Sequence, residues 1–208
     1  AGTVYLLYNQ FGLRGTFWIP GIIGGALLLL GTRYFRNEPA SIGLRPFGAN
    51  EDDPIRKPMA AETAKIRTRV FLKQAQQTSA FWNLICIHFW GCAGHNIILV
   101  FLIAMVEKEL SVGMGLAIYV ALTVVSAITR FAAPVVADRT GSKGAMGVCF
   151  ALQTFPVLLL LVAHAPWSFF LFAVLFGIGL GGEMTVFPII NRQYYGDAPT
   201  GTAYGWQM

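Results

Sequence analysis

The segment SAITRFAAPVVADR places Arg130 eight residues ahead of Asp138 with only apolar residues between them. Ser126, Thr123 and Tyr119 precede Arg130 at i−4, i−7 and i−11, so on a helix their hydroxyls share a face with the guanidinium. A guanidinium is always charged and meets a carboxylate through two parallel hydrogen bonds. The stripe therefore carries the chemistry to hold an organic anion, with Arg130 as the anchor; an internal salt bridge to another helix is the alternative. His95 and Glu183 are the other titratable groups set deep in apolar sequence. Each is of a kind that takes up and releases a proton, although packing or hydrogen bonding would also account for His95, and helix contact for Glu183.

Other constellations are weaker. His88, Cys92 and His95 fall at i, i+4 and i+7 and offer soft-metal ligands, but no fourth ligand accompanies them, so no metal is expected. Gly177, Gly179, Gly181 and Gly182 resemble a phosphate loop only superficially, because no G-K-[ST] follows. Close helix packing or a hinge explains them better. No Ser-His-Asp set and no paired aqueous carboxylates are visible, so neither a catalytic residue nor a cofactor is expected.

The elements that must carry these groups are helices in lipid. Only 12% of the 208 residues are charged and 55% are hydrophobic. The intervals Gly15 to Thr32, Gln74 to Val106, Ser111 to Thr129 and Gly144 to Gly182 lack Asp, Glu, Lys and Arg altogether. About 20 apolar residues suffice to cross a bilayer. Spans are thus expected near 15–32, 80–106, 114–137, 145–163 and 168–190, with another opening from about 199. The 39 uncharged residues from 144 to 182 suit two crossings with a tight turn at HAPWS. Residues 1–32 would close one group of helices, 33–79 would be an aqueous linker, and 80–208 would form an incomplete second bundle. No strand-period pattern competes, so the fold class expected is an all-α polytopic membrane bundle.

The linker from Arg33 to Lys73 carries nine basic and five acidic residues together with Pro39, Pro46, Pro54 and Pro58. Within it Ile66, Val70 and Leu72 alternate with Lys65, Arg67, Arg69 and Lys73, as in a basic helix lying on a surface or in an ordinary solvated helix. The linker, the loop 138–143 and the loop after Ile190 hold twelve basic residues, against one Lys in loops 107–110 and 164–168. This bias assigns the first three to the cytoplasmic side and puts Arg130 roughly 12 Å from a cytoplasmic turn, inside a core about 30 Å thick. It also accounts for the net charge of +5 without nucleic acid. Cys86, Cys92 and Cys149 lie in apolar runs and suggest no disulfide framework. No basic leader precedes the first apolar stretch, and GTAYGWQM reads as the start of a further span, so both ends read as internal to a longer polypeptide.

The turn APVVADRTGSKGAM at 133–146 resembles the signature loop of the major facilitator superfamily, G-x-x-x-D-R-x-G-R-R/K. Asp138, Arg139, Gly141 and Lys143 fall on its conserved places, while Pro134 replaces the first glycine and Ser142 the first basic residue after Gly141. The resemblance implies that this loop helps lock one conformation of alternating access, and that the spans are helices six through ten and the start of eleven. Within the superfamily the chain looks most like the monocarboxylate and oxalate:formate porter branch. Arg130, His95 in GCAGHNIILVF, and GIGLGGEMTVFPIINRQYYG at 177–196 carry that likeness.

The function this implies is secondary active transport of a small organic anion by proton symport or anion exchange. Arg130, His95, Tyr119, Thr123 and Ser126 would line the substrate site, and Glu183 and His95 would handle the proton. The expected partners are the anion, a proton or counter-anion, the bilayer and an N-terminal half of the same polypeptide, in a plasma or bacterial inner membrane. A non-transporting receptor or scaffold with the same fold is the rival reading.

Overall fold

The computed structural model describes residues 2–36, 39–45, 50, 54, 59–196 and 198–208. Pro46, Pro58 and the acidic run 51–53 of the linker lie outside the described residues. Helix takes up 86% of the structure and, among the described residues, there is no strand, so the fold is all-α. Among the described residues five helical segments are long and apolar enough to cross a membrane: Leu6–Thr32, Ser79–Glu109, Val112–Thr140, Ser142–Leu161 and Pro166–Tyr195.

The chain divides into two units, Ala1–Lys65 and Ile66–Met208. The first contains α1, Gly2–Thr32, and a short 3-10 turn at Pro39–Ile42. Gly12 interrupts α1 with φ 65°, a left-handed conformation that a residue without Cβ adopts at little cost. The helix therefore begins well before the expected span at 15, as two stretches joined at Gly12. Large apolar side chains such as Phe17, Trp18, Leu28 and Leu29 stay exposed along it, a surface suited to lipid or to other helices rather than to water.

Helix α2, Ala61–Ala75, crosses the division between the units and leads into the second. Its Phe71 meets Tyr195 edge to face at 5.4 Å, and Leu72 and Ala75 turn the same way. Ile66 and Val70 point elsewhere, 62% and 50% exposed. At 100° per residue they lie across the helix from Phe71 and Ala75, so the apolar residues that alternate with basic ones in sequence divide between two faces.

The bundle itself consists of α3, Ser79–Glu109, α4, Val112–Thr140, α5, Ser142–Thr154, α6, Pro166–Tyr195, and the short α7, Gly201–Gln207. Local chemistry sets their ends. The Thr78 and Ser111 hydroxyls accept from the backbone N–H of Phe81 and Met114 and cap α3 and α4. Gly141, with φ 90°, makes the sharp reversal from α4 to α5. Trp82 donates its indole N–H to the Gln76 carbonyl at 2.9 Å, pinning the corner where α3 begins.

The fourth span departs from the single helix its apolar run suggests. After Thr154 the chain tightens into a 3-10 stretch, Phe155–Leu161. Pro156 supplies no N–H and its ring crowds the preceding turn, which ends the α-helical bonding there. At the end of the bundle opposite the α4–α5 turn, His164 Nδ1 and Glu109 Oε2 approach to 3.0 Å.

Helix α6 is the centre of the bundle, packed on one side by α4 and on another by α5. Leu122 and Ile118 of α4 pack on Phe172 and Phe176 of α6 toward one end, and Ala133 and Met146 on Val186 and Phe187 toward the other. The glycine run makes this approach possible. A Cβ at Gly177 would stand 2.8 Å from the Leu122 carbonyl oxygen, and one at Gly179 2.6 Å from that of Cys149. Gly181 faces the Ser126 carbonyl and Gly182 the Cys149 sulfur more closely still. Small residues let backbones meet in this way where lipid supplies no hydrophobic drive.

Candidate functional site

Glu183 follows the glycine run directly, and its position on α6 determines its surroundings. It lies two residues, about 200°, around the helix from Gly181, which faces α4. Its side chain consequently points away from the α4 seam and into the bundle beside α3 and α5, where only 1% of it is exposed. A carboxyl so buried needs polar partners. Gln153 of α5 donates its amide N–H to Oε2 at 2.7 Å. His95 of α3 brings Nδ1 to 3.4 Å from the same oxygen, within ion-pair reach but off the line of a hydrogen bond, so Nδ1 is left without one. Oε1 has no hydrogen-bond partner. It lies against Gly91, where a Cβ would overlap it; the bare backbone of α3 makes the room.

One turn along α3, His88 stacks on Phe187 at 4.7 Å with 28° between the rings. Its Nε2 lies 3.2 Å from the Cys92 sulfur and its Nδ1 has no partner. Three helices thus surround a buried polar centre made of His95, Glu183 and Gln153, with His88 and Cys92 beside it. Among the described residues no three His, Cys, Asp or Glu side chains are gathered as a metal ion would require.

A cavity of about 660 Å³ opens beside this centre between α3 and α5, with Gly91, His95, Gln153 and Phe176 in its wall. A second of about 460 Å³ reaches the α4–α5 turn at Ser142 and Lys143, and Ile87 and Phe150 line both. The two form a groove along α3 with α6 at its floor.

The α4 stripe lies apart from this centre. Arg130 is exposed on the surface of the bundle, and among the described residues it makes no ion pair or hydrogen bond. Ser126 is 3% exposed, its hydroxyl unpartnered and its carbonyl against Gly181. Tyr119 is half-buried against the core, while Thr123 is exposed and donates to the Val120 carbonyl at 2.9 Å. The stripe therefore straddles the edge of the packed face: Ser126, turned about 40° from Arg130, goes under α6 while the guanidinium stays outside. His95 stands with Glu183, not with this stripe.

At the α4–α5 turn Asp138, Arg139 and Lys143 are all exposed, and among the described residues no ion pair joins them. Ser142, which stands where the signature has a basic residue, is buried and hydrogen-bonds the Gln193 side chain of α6. That link, Gln153 and Gly91 are the features that sequence reasoning missed. An amide at 153 was the one available signal, a polar side chain in the middle of an uncharged run.

Among the described residues five helices have the length and apolarity to cross a membrane, four of them in the second unit, where α6 carries the glycine run and the sealed titratable groups; this defines an integral multi-pass membrane protein. The sequence profile of the Major Facilitator Superfamily matches residues 2–208, and the chain belongs to that superfamily. Comparison with curated proteins and with solved structures gave no significant match.

Proposed function

We propose that the chain is part of a secondary active transporter that moves a small organic anion, a monocarboxylate or dicarboxylate, by proton symport or anion exchange. The observation that carries this reading is Arg130. A permanent charge eight residues inside an apolar span, exposed on the bundle and unpaired among the described residues, is stable only against water, an anion or another protein surface. An N-terminal half facing α4 would enclose it near the midplane, where transporters of this kind bind substrate. Arg130 then holds the carboxylate, and Tyr119, Thr123 and Ser126 supply hydroxyls along the same edge.

Glu183 and His95 are the groups we assign to the proton. The Gly181 seam separates their side of α6 from α4, which favours separate places for anion and proton, coupled through movement of helices rather than through direct contact. The loop of Asp138, Arg139, Gly141 and Lys143 is assigned to holding one conformation, its charges free to pair with a facing helix when access closes.

The test is uptake of radiolabelled carboxylates by the complete polypeptide in proteoliposomes, with Arg130→Ala and Arg130→Lys compared to the parent. Loss of apparent affinity in both variants is expected, since a lysine ammonium lacks the planar fork. Unchanged affinity and rate for every carboxylate would remove Arg130 from the site. Absence of substrate-dependent flux, with or without a pH gradient, would favour the receptor reading instead.

A further inference from the structure

The two oxygens of Glu183 have unlike surroundings. Oε2 accepts from the Gln153 amide at 2.7 Å and has His95 Nδ1 at 3.4 Å. Oε1 has no hydrogen-bond partner, although it lies beside Gly91, which together with His95 and Gln153 lines the larger cavity. Gln153 itself is 7% exposed. An amide nitrogen only donates, so Oε2 is held as an acceptor whatever the charge of the carboxyl.

We propose that Gln153 is a positioning residue that grips Glu183 by Oε2 and thereby leaves Oε1, sealed behind Gly91 of the cavity wall, as the oxygen that takes up and gives up the proton. This rests on the reading of Glu183 as a proton-exchanging group. In the step, when α3 gives way at Gly91 a hydronium ion from the cavity transfers its proton to Oε1 and leaves as water. The product is a neutral carboxylic acid in which Oε2 has become the carbonyl and still accepts from Gln153; release to water reverses the transfer. No bond to Gln153 is made or broken, so the carboxyl keeps its orientation through the cycle.

The neighbouring groups leave this division of labour intact. Helix α3 presents His88, Cys92 and His95, and α5 presents Cys149 beside Gln153, with His88, Cys92 and Cys149 all within electrostatic reach of the carboxyl. Among the described residues α4 brings no charged side chain within ion-pair distance of it. Gln153 alone donates a hydrogen bond to Glu183 in this set.

Infrared difference spectroscopy of the complete polypeptide in liposomes, acidic minus alkaline, reads the assignment directly. Glu183→Gln is expected to remove one protonated-carboxyl C=O band. Gln153→Met, which keeps the volume and loses the donor, is expected to move that same band to higher wavenumber, because a carbonyl freed from a hydrogen bond vibrates faster. Gln153→Asn, too short to reach, should move it the same way and serves if the Met variant does not fold. A side chain that merely fills space would leave the frequency alone. If Glu183→Gln removes a band and neither Gln153 variant moves it, the positioning role is overturned. If Glu183→Gln removes none, the proton-exchange reading beneath it fails first.

Discussion

Adding one methyl group at Gly181 tests the way the bundle is held together. A Cβ there would stand 2.9 Å from the carbonyl carbon and 3.0 Å from the Cα of Ser126, and closer to its carbonyl oxygen. All three atoms belong to the backbone of α4 and cannot swing aside as a side-chain tip would. The helix axes must part instead, and a separation of about 0.5–1 Å forfeits a quarter to a half of the dispersion energy of each contact it opens. Overpacking of this kind costs about 1–3 kcal/mol. For a domain of this size that lowers the thermal midpoint by on the order of 5 °C.

The comparison variant is Gly94→Ala, where an added Cβ meets no atom within 4 Å and alanine favours the helix by about 1 kcal/mol. Thermal denaturation of the complete polypeptide in detergent, followed by size exclusion, should show Gly181→Ala melting lower and Gly94→Ala melting level or higher. A Gly181→Ala protein as stable as the parent would refute the backbone-contact reasoning. So would an equal loss in both variants.

Further outcomes are expected. Arg130→Ala should raise the KM for a transported carboxylate about ten- to hundredfold, the worth of a charge-assisted hydrogen-bond pair, in radiotracer uptake. Glu183→Gln should leave exchange at equal pH on both sides while abolishing acceleration by a pH gradient; flux that still follows the gradient would take Glu183 out of the coupling. Gly141→Ala should cost about 1–2 kcal/mol, because φ 90° forces an L side chain against the following carbonyl, visible as a lower melting midpoint.

The helical class and the membrane setting were legible because charge-free runs of crossing length admit little else. The glycine run was legible as a packing device for the same reason: at 177, 179, 181 and 182 the absence of side chains is itself the signal. What could not be read was which groups meet. Glu183 announces itself as a charge among apolar residues, but its partner Gln153 lies 30 residues away on another helix, and no spacing rule links the two. Gly91 looks like any small residue until the carboxyl oxygen is found against it. Pro156 was visible, yet whether a proline kinks a helix or converts its last turns to 3-10 depends on packing. The α4 stripe follows helical spacing, but only the position of α6 decides that Ser126 is covered and Arg130 is not.

The glycine run also determines what can move. Surfaces whose main chains touch at several points resist sliding, because any displacement drives carbonyls into neighbouring helices before it breaks a single side-chain contact. Helices α4, α5 and α6 therefore resist sliding on one another, and α3 joins them through the Ile103 backbone against Gly115 at one end while bordering a cavity beside His95. His95 stands on α3 and Glu183 on α6, so their 3.4 Å separation registers any shift of one of these helices against the other.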